Sequence, residues 1–182
     1  MALSQAEILD AATGLLDEVG VDELSTRRLA ARLGVRAGAL YWHFPNKQAL
    51  LDELAGRVLL PLLDLDLGAT GQWAHGVAAF GGALRAAMLA HRDGARLVAT
   101  MARPVATART AHARLIDLLI GGGAQPEQAG FAADALTSYV NGYTLEEQAR
   151  QLVTLSEEHR ERAFATGIRV VVSGLRAELS LR

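Results

Sequence analysis

Apolar residues recur at three- and four-residue spacing along nearly the whole of this 182-residue chain, and no stretch alternates them with polar ones. That spacing is the period of an α-helix, so the chain must bury helical stripes against one another rather than build a sheet. Ser4 followed by Glu7 makes a capping box, and Ile8, Ala12, Leu15, Leu16 and Val19 mark one face of a first helix over 4–19, stopped by Gly20. Ser25 caps a second helix with Leu29, Ala30 and Leu33 inward. Gly34 ends it, because glycine takes the left-handed conformation at no steric cost, and Val35 follows as a buried turn residue. A third short helix is expected over about 36–44, closed by Pro45, and Asn46 caps a fourth that carries Leu50, Leu51, Leu54 and Val58.

Pro61 and the stretch from Leu67 to Gly71 interrupt the period and divide the chain into 1–66 and 67–182. Beyond the break, helices are expected over 72–91 and 94–101, from Pro104 to the Gly121-Gly122-Gly123 turn, from Pro126 past Gln148, and over 157–179. Gly76, Gly81 and Gly82 lie inside the first of these, each at about 1 kcal/mol relative to alanine, which points to close helix packing or a cavity wall. The expected fold class is all-α: an N-terminal three-helix module joined by a linker helix to a helical bundle.

With 51% hydrophobic and 21% charged residues the composition is that of a globular domain. No apolar run approaches the ~18 residues of a membrane span. The first residues carry acids where an export signal needs an apolar stretch, so a cytoplasmic location is expected. Cysteine is absent, which removes disulfides and thiolate sites. His43, His75, His91, His112 and His159 are scattered in no metal-ligand spacing, and the glycine triplet is not followed by the Lys-Ser or Lys-Thr of a phosphate-cradling loop. The chain is therefore read as a non-enzyme with no metal and no cofactor.

Net charge is −2, yet from Leu24 to Leu51 the chain carries Arg27, Arg28, Arg32, Arg36 and its single lysine, Lys47, without one acid. Within that basic segment, TRRLAARLGVRAGALYWHFPNK has the parts of a helix-turn-helix. A positioning helix, a Gly-Val turn and a short second helix would present side chains to a major groove.

STRRLAARLGV followed by LYWHFPNKQALLDEL resembles the DNA-binding domain of tetracycline-repressor family regulators. Farther on, ALRAAMLAHRDGARLVATMARP and YVNGYTLEEQ resemble the effector and dimerisation helices of the tetracycline repressors. The resemblance implies a transcriptional regulator, a repressor released from a pseudo-palindromic operator in double-stranded DNA by a small-molecule effector. It implies that Thr26, Tyr41 and Lys47 contact phosphates, which a hydroxyl, a phenol and an ammonium can all do. Arg27 and Arg36 are candidates for base edges, with phosphate binding as the alternative, and Arg28 joins the basic face. Trp42 and His43 pack on the sugar-phosphate edge, or else Trp42 is a partly exposed core residue beside Phe44. Ala37, Gly38 and Ala39 open the reading helix where tetracycline repressors place polar side chains, so a different operator is expected.

The resemblance further implies a homodimer through 127–149 and 157–179. The last helix supplies Phe164, Ile168, Val171, Val172, Leu175 and Leu179, more apolar surface than one small core consumes, with a purely intrachain core face as the alternative. Aligned on Trp73, Arg92-Asp93-Gly94 and Arg103-Pro104, Leu63 and Val98 stand where those repressors have metal-side histidines, and Phe80 and Leu84 replace an amide and an aromatic ring. A largely apolar effector cavity is therefore expected, without magnesium. Phe80, Leu84, Val98, Met101 and Leu115 would line it, with Tyr139, Tyr143 and Glu146 as its polar groups, unless these residues simply close-pack as core.

Overall fold

The computed structural model describes residues 3–68, 72–149 and 156–179. Among them the secondary structure is helical throughout. The N-terminal part comprises α1 (Gln5–Glu23), α2 (Thr26–Leu33), α3 (Ala37–Tyr41) and α4 (Lys47–Val58), followed by a 3-10 turn at Leu60–Leu62. The rest comprises α5 (Trp73–Leu89), α6 (Gly94–Ala99), α7 (Ala106–Gly121), α8 (Pro126–Ala149) and α9 (Glu157–Glu178).

Polar caps set several of these starts. Ser4 and Glu7 close a reciprocal capping box, Ser25 accepts from the Arg28 N–H, and Asn46 accepts from the Ala49 N–H at 2.8 Å. Ser156 does the same for His159 at the start of α9. Gly20 breaks α1 at φ 79°, yet Val21–Glu23 resume a helical turn, because the Asp93 carboxylate accepts the freed Val21 N–H at 2.9 Å. A Cβ on Gly20 would stand 2.5 Å from that same carboxylate oxygen, so the site requires glycine twice over. The reading helix ends at Tyr41 rather than Phe44. Phe44 must leave the helix to reach the core, where it is 3% exposed, and its position before Pro45 disfavours helical backbone.

The buried apolar side chains form one continuous cluster from Ile8 to Leu175. Leu54, Val58, Leu59 and Leu62 carry it from α1–α4 into the bundle, and Arg114 holds the connecting carbonyls of Leu62 and Leu65. The division at 67 is thus a break in helical period, across which the core continues. Residues 69–71 of that break, and the segment 150–155, lie outside the described residues.

Helix α5 sits at the centre, with α6, α7, α8 and α9 against it. Gly81 makes one of these approaches: a Cβ there would meet Ile168 of α9 at 2.8 Å. Gly82 faces open space, so only some of the helix's glycines serve packing. Deeper in, Arg85 forks onto Glu147 at 2.8 and 2.7 Å, reaches Glu161 at 2.6 Å, and lies over the Phe164 ring. Hydrogen bonds donated to Glu147, opposed by burial and helped by Glu161, push the Arg85 guanidinium further above its ordinary value.

The apolar stripe of α9 resolves into an intrachain face. Phe164, Ile168 and Leu175 are buried, while Val171, Val172 and Leu179 are half-buried against the same core. Turned outward instead are Ala163, Val170, Gly174 and Ala177, and on α8 Phe131, Ala135 and Gly142. Periodicity finds the stripe but cannot name what covers it.

Candidate nucleic-acid interface and cavity

Gly34, at φ 67°, ends α2 with its N–H shared between the Ala30 and Ala31 carbonyls, and the Val35 N–H returns to Ala30 at 3.0 Å. That turn aims α3 away from α2. Leu40, 1% exposed, anchors α3 in the core, and Val35 is half-buried rather than buried. Arg36 stands exposed at the N-cap without capping the helix. Gly38 is exposed and Ala37 and Ala39 half-buried, which leaves the start of α3 smooth enough to sit deep in a groove.

Trp42 is 91% and Tyr41 51% exposed. Phe44 holds the core position, so Trp42 belongs to the surface. His43, Thr26 and Lys47 are half-buried at the margin of the same face. Of the arginines, Arg28 pairs with Glu23 and Arg32 with Glu18, both at 2.6 Å. Arg27, Arg36 and Lys47 make no ion pair among the described residues, so they are the cations available to phosphate or base.

A cavity of about 390 Å³ lies among the end of α4, the 3-10 turn and α5–α8. Leu59, Leu62, Phe80, Leu84, Val98 and Met101 give it apolar walls. His112, Asp134, Thr137 and Asn141 form a polar wall, and Pro104, Ala108, Arg109 and Ala111 complete it. Four of the expected lining residues, Phe80, Leu84, Val98 and Met101, meet there, whereas Leu115 is fully buried core behind it.

The expected polar groups lie elsewhere. Tyr139 and Tyr143 pack with Phe164 at ring distances of 6.1 and 5.3 Å, their hydroxyls near the Phe164 and Arg160 carbonyls, and Glu146 is exposed. Burial raises both phenols above their ordinary value. Residues 139, 143 and 146 share one face of α8, and 134, 137 and 141 share another, roughly half a turn around at 3.6 residues per turn. A spacing of i, i+3, i+7 in Asp134, Thr137 and Asn141 was the available signal; on an exposed helix it also reads as a solvated face.

Two atoms on the polar wall are buried without a hydrogen-bond partner: Asn141 Oδ1 and His112 Nε2. The imidazole nitrogen lies 3.1 Å from Asp134 Oδ1, but off the line a hydrogen bond needs. Thr137 is satisfied, donating to the Ala133 carbonyl. The donor set does not fit magnesium. Val98 brings hydrocarbon, and among the described residues no three His, Asp or Glu side chains gather to hold a metal ion.

The cavity wall and the reading module are joined by the α5–α6 corner. Asp17 accepts from the Arg92 N–H at 3.1 Å and lies 3.2 Å from His91 Nδ1, and Arg92 donates to the Glu18 carbonyl. Arg96 of α6 forks onto Asp22 of α1 at 2.7 Å and holds that carboxyl below its ordinary range. On the other side Asp52 of α4 accepts from the Ala102 and Arg103 N–H groups just past α6. Gln148 of α8 ties the corner down, accepting from Ala95 and donating to the His91 carbonyl.

Residues 8–54 match the model of bacterial regulatory proteins of the tetR family, and residues 67–160 match the tetracyclin repressor-like C-terminal domain, which is more than half of the chain. The chain belongs to the tetracycline-repressor family. It is an all-helical, DNA-binding transcriptional regulator and not an enzyme. Among curated relatives, the class A tetracycline repressor from transposon 1721 of Escherichia coli is 42% identical over 78% of this chain and 66% of its own length. The class C repressor of Escherichia coli is 34% identical over 98% and 81%. Among solved structures, a TetR variant from Acinetobacter baumannii AYE in complex with minocycline superposes with a TM-score of 0.86 at 35% identity, covering 97% of this chain and 98% of that one. BioQ with its natural double-stranded DNA operator gives 0.83 at 34% identity, covering 96% and 99%.

Proposed function

We propose that this regulator binds a pseudo-palindromic operator as a homodimer, represses from it, and lets go when a small, largely apolar molecule fills the cavity. One observation carries the reading. Helix α6 puts Val98 into the cavity wall and, two residues earlier, holds α1 through the Arg96–Asp22 pair. A ligand that displaces Val98 therefore moves the attachment of the reading module, which is the differential contact a release mechanism requires. The relatives support both halves, since the Acinetobacter structure holds minocycline and the BioQ structure holds its operator.

In this reading residues 1–66 contact DNA and 67–182 pair the subunits and hold the ligand. Thr26, Tyr41 and Lys47 take phosphates, Arg27 and Arg36 approach base edges, and Trp42 packs along the sugar edge. The two copies meet through the outward strips of α8 and α9, where small residues let helices approach closely. No helix among the described residues is long and apolar enough to cross a membrane. A cytoplasmic location, beside the DNA, follows from the proposed role.

Mobility-shift titration across salt tests the DNA assignment. Lys47→Ala should weaken all sequences alike and lower the salt slope by roughly one per protomer. Arg36→Ala should relax preference at one base pair of each half-site by about 1–3 kcal/mol. Sequence-selective loss for Lys47→Ala, or unchanged preference for Arg36→Ala, contradicts the assignment.

A further inference from the structure

We infer that the effector is an amphipathic monocarboxylate, with an apolar body inside the cavity and its acid group held by Arg109 at the mouth. The inference rests on the cavity being the effector site. The titratable groups of the lining are Arg109, His112 and Asp134. Asp134 has a neighbour of its own, His112 Nε2 at 3.1 Å. Arg109 makes no ion pair among the described residues, and an arginine is always charged, so the lining carries a cation without a counter-ion. Its Nη1 donates to the carbonyl of Pro104, itself a lining residue, which keeps the guanidinium at the cavity wall. That contact leaves the Nε–H and Nη2–H edge, a side of the planar fork that can meet both oxygens of a carboxylate.

Burial along the lining says which end of the ligand goes where. Phe80 and Leu84 are buried and Val98 half-buried, whereas Arg109 and Asp134 are exposed, so the charged end of the cavity is the end open to water. A ligand polar over its whole surface would lose hydration against Phe80 and Leu84 with nothing in exchange. An acid at the mouth keeps part of its hydration, so desolvation does not cancel its attraction to Arg109 as it would for a pair in the interior. Asp134, with a side chain 71% exposed, repels such an acid only through screened charge. A cation would face Arg109 as a like charge, and a dianion would bring a second charge for which the lining offers no second arginine or lysine.

Two apolar bodies, each as an acid and as its neutral amide, isolate the charge: 2-naphthoate with 2-naphthamide, and octanoate with octanamide. Calorimetric titration of the full-length protein should find at least one acid bound ~10-fold more tightly than its amide, the scale of a charge-assisted pair of hydrogen bonds. In Arg109→Gln that preference should fall to within about threefold while amide binding stays as in the wild type. Arg109→Lys, which keeps the charge and loses the fork, should fall between the two. Arg109 is exposed, so both variants should melt with the wild type. Equal binding of acid and amide, both weakened by Phe80→Ala, overturns the acid inference and leaves the cavity reading standing. A preference untouched by Arg109→Gln overturns it as well, and so does acid binding that is weakened by Lys47→Ala and not by Phe80→Ala, which would place the anion on the reading module. No binding by any probe overturns both readings.

Discussion

Arginine in place of Val170 is expected to give a monomer at micromolar concentration and to weaken DNA binding by at least ~100-fold, the scale of avidity lost when two reading heads are no longer linked. Val170 is 67% exposed on α9, and its neighbours on the outward strip are Ala163, Gly174 and Ala177. In a dimer built on that strip the guanidinium would be buried without a partner, which helix pairing does not tolerate. In the free subunit it stands in water, so Val170→Arg should keep the helical content and melting behaviour of a folded chain. Leu175→Arg makes the control: Leu175 is 9% exposed within its own subunit, and a charge there should unfold the protein rather than merely split it. Light scattering on Val170→Arg decides the matter. A dimeric mass with wild-type DNA affinity would move the interface elsewhere.

The largest expected effect on stability belongs to Arg85. Its fork onto Glu147 joins two side chains 8% and 7% exposed, with Glu161 of α9 as a third, exposed member. Arg85→Leu strands the Glu147 carboxylate with only the more distant Arg160 at 3.4 Å, and should cost about 3–5 kcal/mol in denaturant unfolding. The double variant Arg85→Leu, Glu147→Leu should recover most of that loss, because the penalty lies in the unpaired charge and not in absent attraction. Double-variant losses equal to the sum of the single ones would contradict this account of the network.

Local signals carried most of the fold. Ser25, Gly34 and Asn46 each act on backbone groups within a few residues, and the helices they delimit lie where those groups require. What escaped was non-local. The turn after Gly20 persists because Asp93, far along the chain, accepts the Val21 N–H, and no window around Gly20 contains that carboxylate. The cavity was half legible for a related reason. Phe80, Leu84, Val98 and Met101 are apolar and were placed by the resemblance to the tetracycline repressors, but which face of α8 turns toward them depends on how α7 and α9 press on it. Tyr139 and Tyr143 look like the orienting groups of a pocket, yet Phe164 of α9 takes them, and Asn141 and His112 line the cavity in their place. On α9 the stripe could be found but not its partner. Its strongest apolar residues, Phe164, Ile168 and Leu175, serve their own core, and Val170 and the small residues beside it stay exposed, the strip proposed above for a second copy.

Selection of bound sequences from a random duplex pool at fixed salt tests the central claim, that two copies of this chain read DNA together. The account predicts recovery of an inverted repeat whose half-sites are centred about one helical turn apart, roughly 10 bp or a multiple of it. Enrichment of a single half-site, a direct repeat or no sequence at all would contradict it.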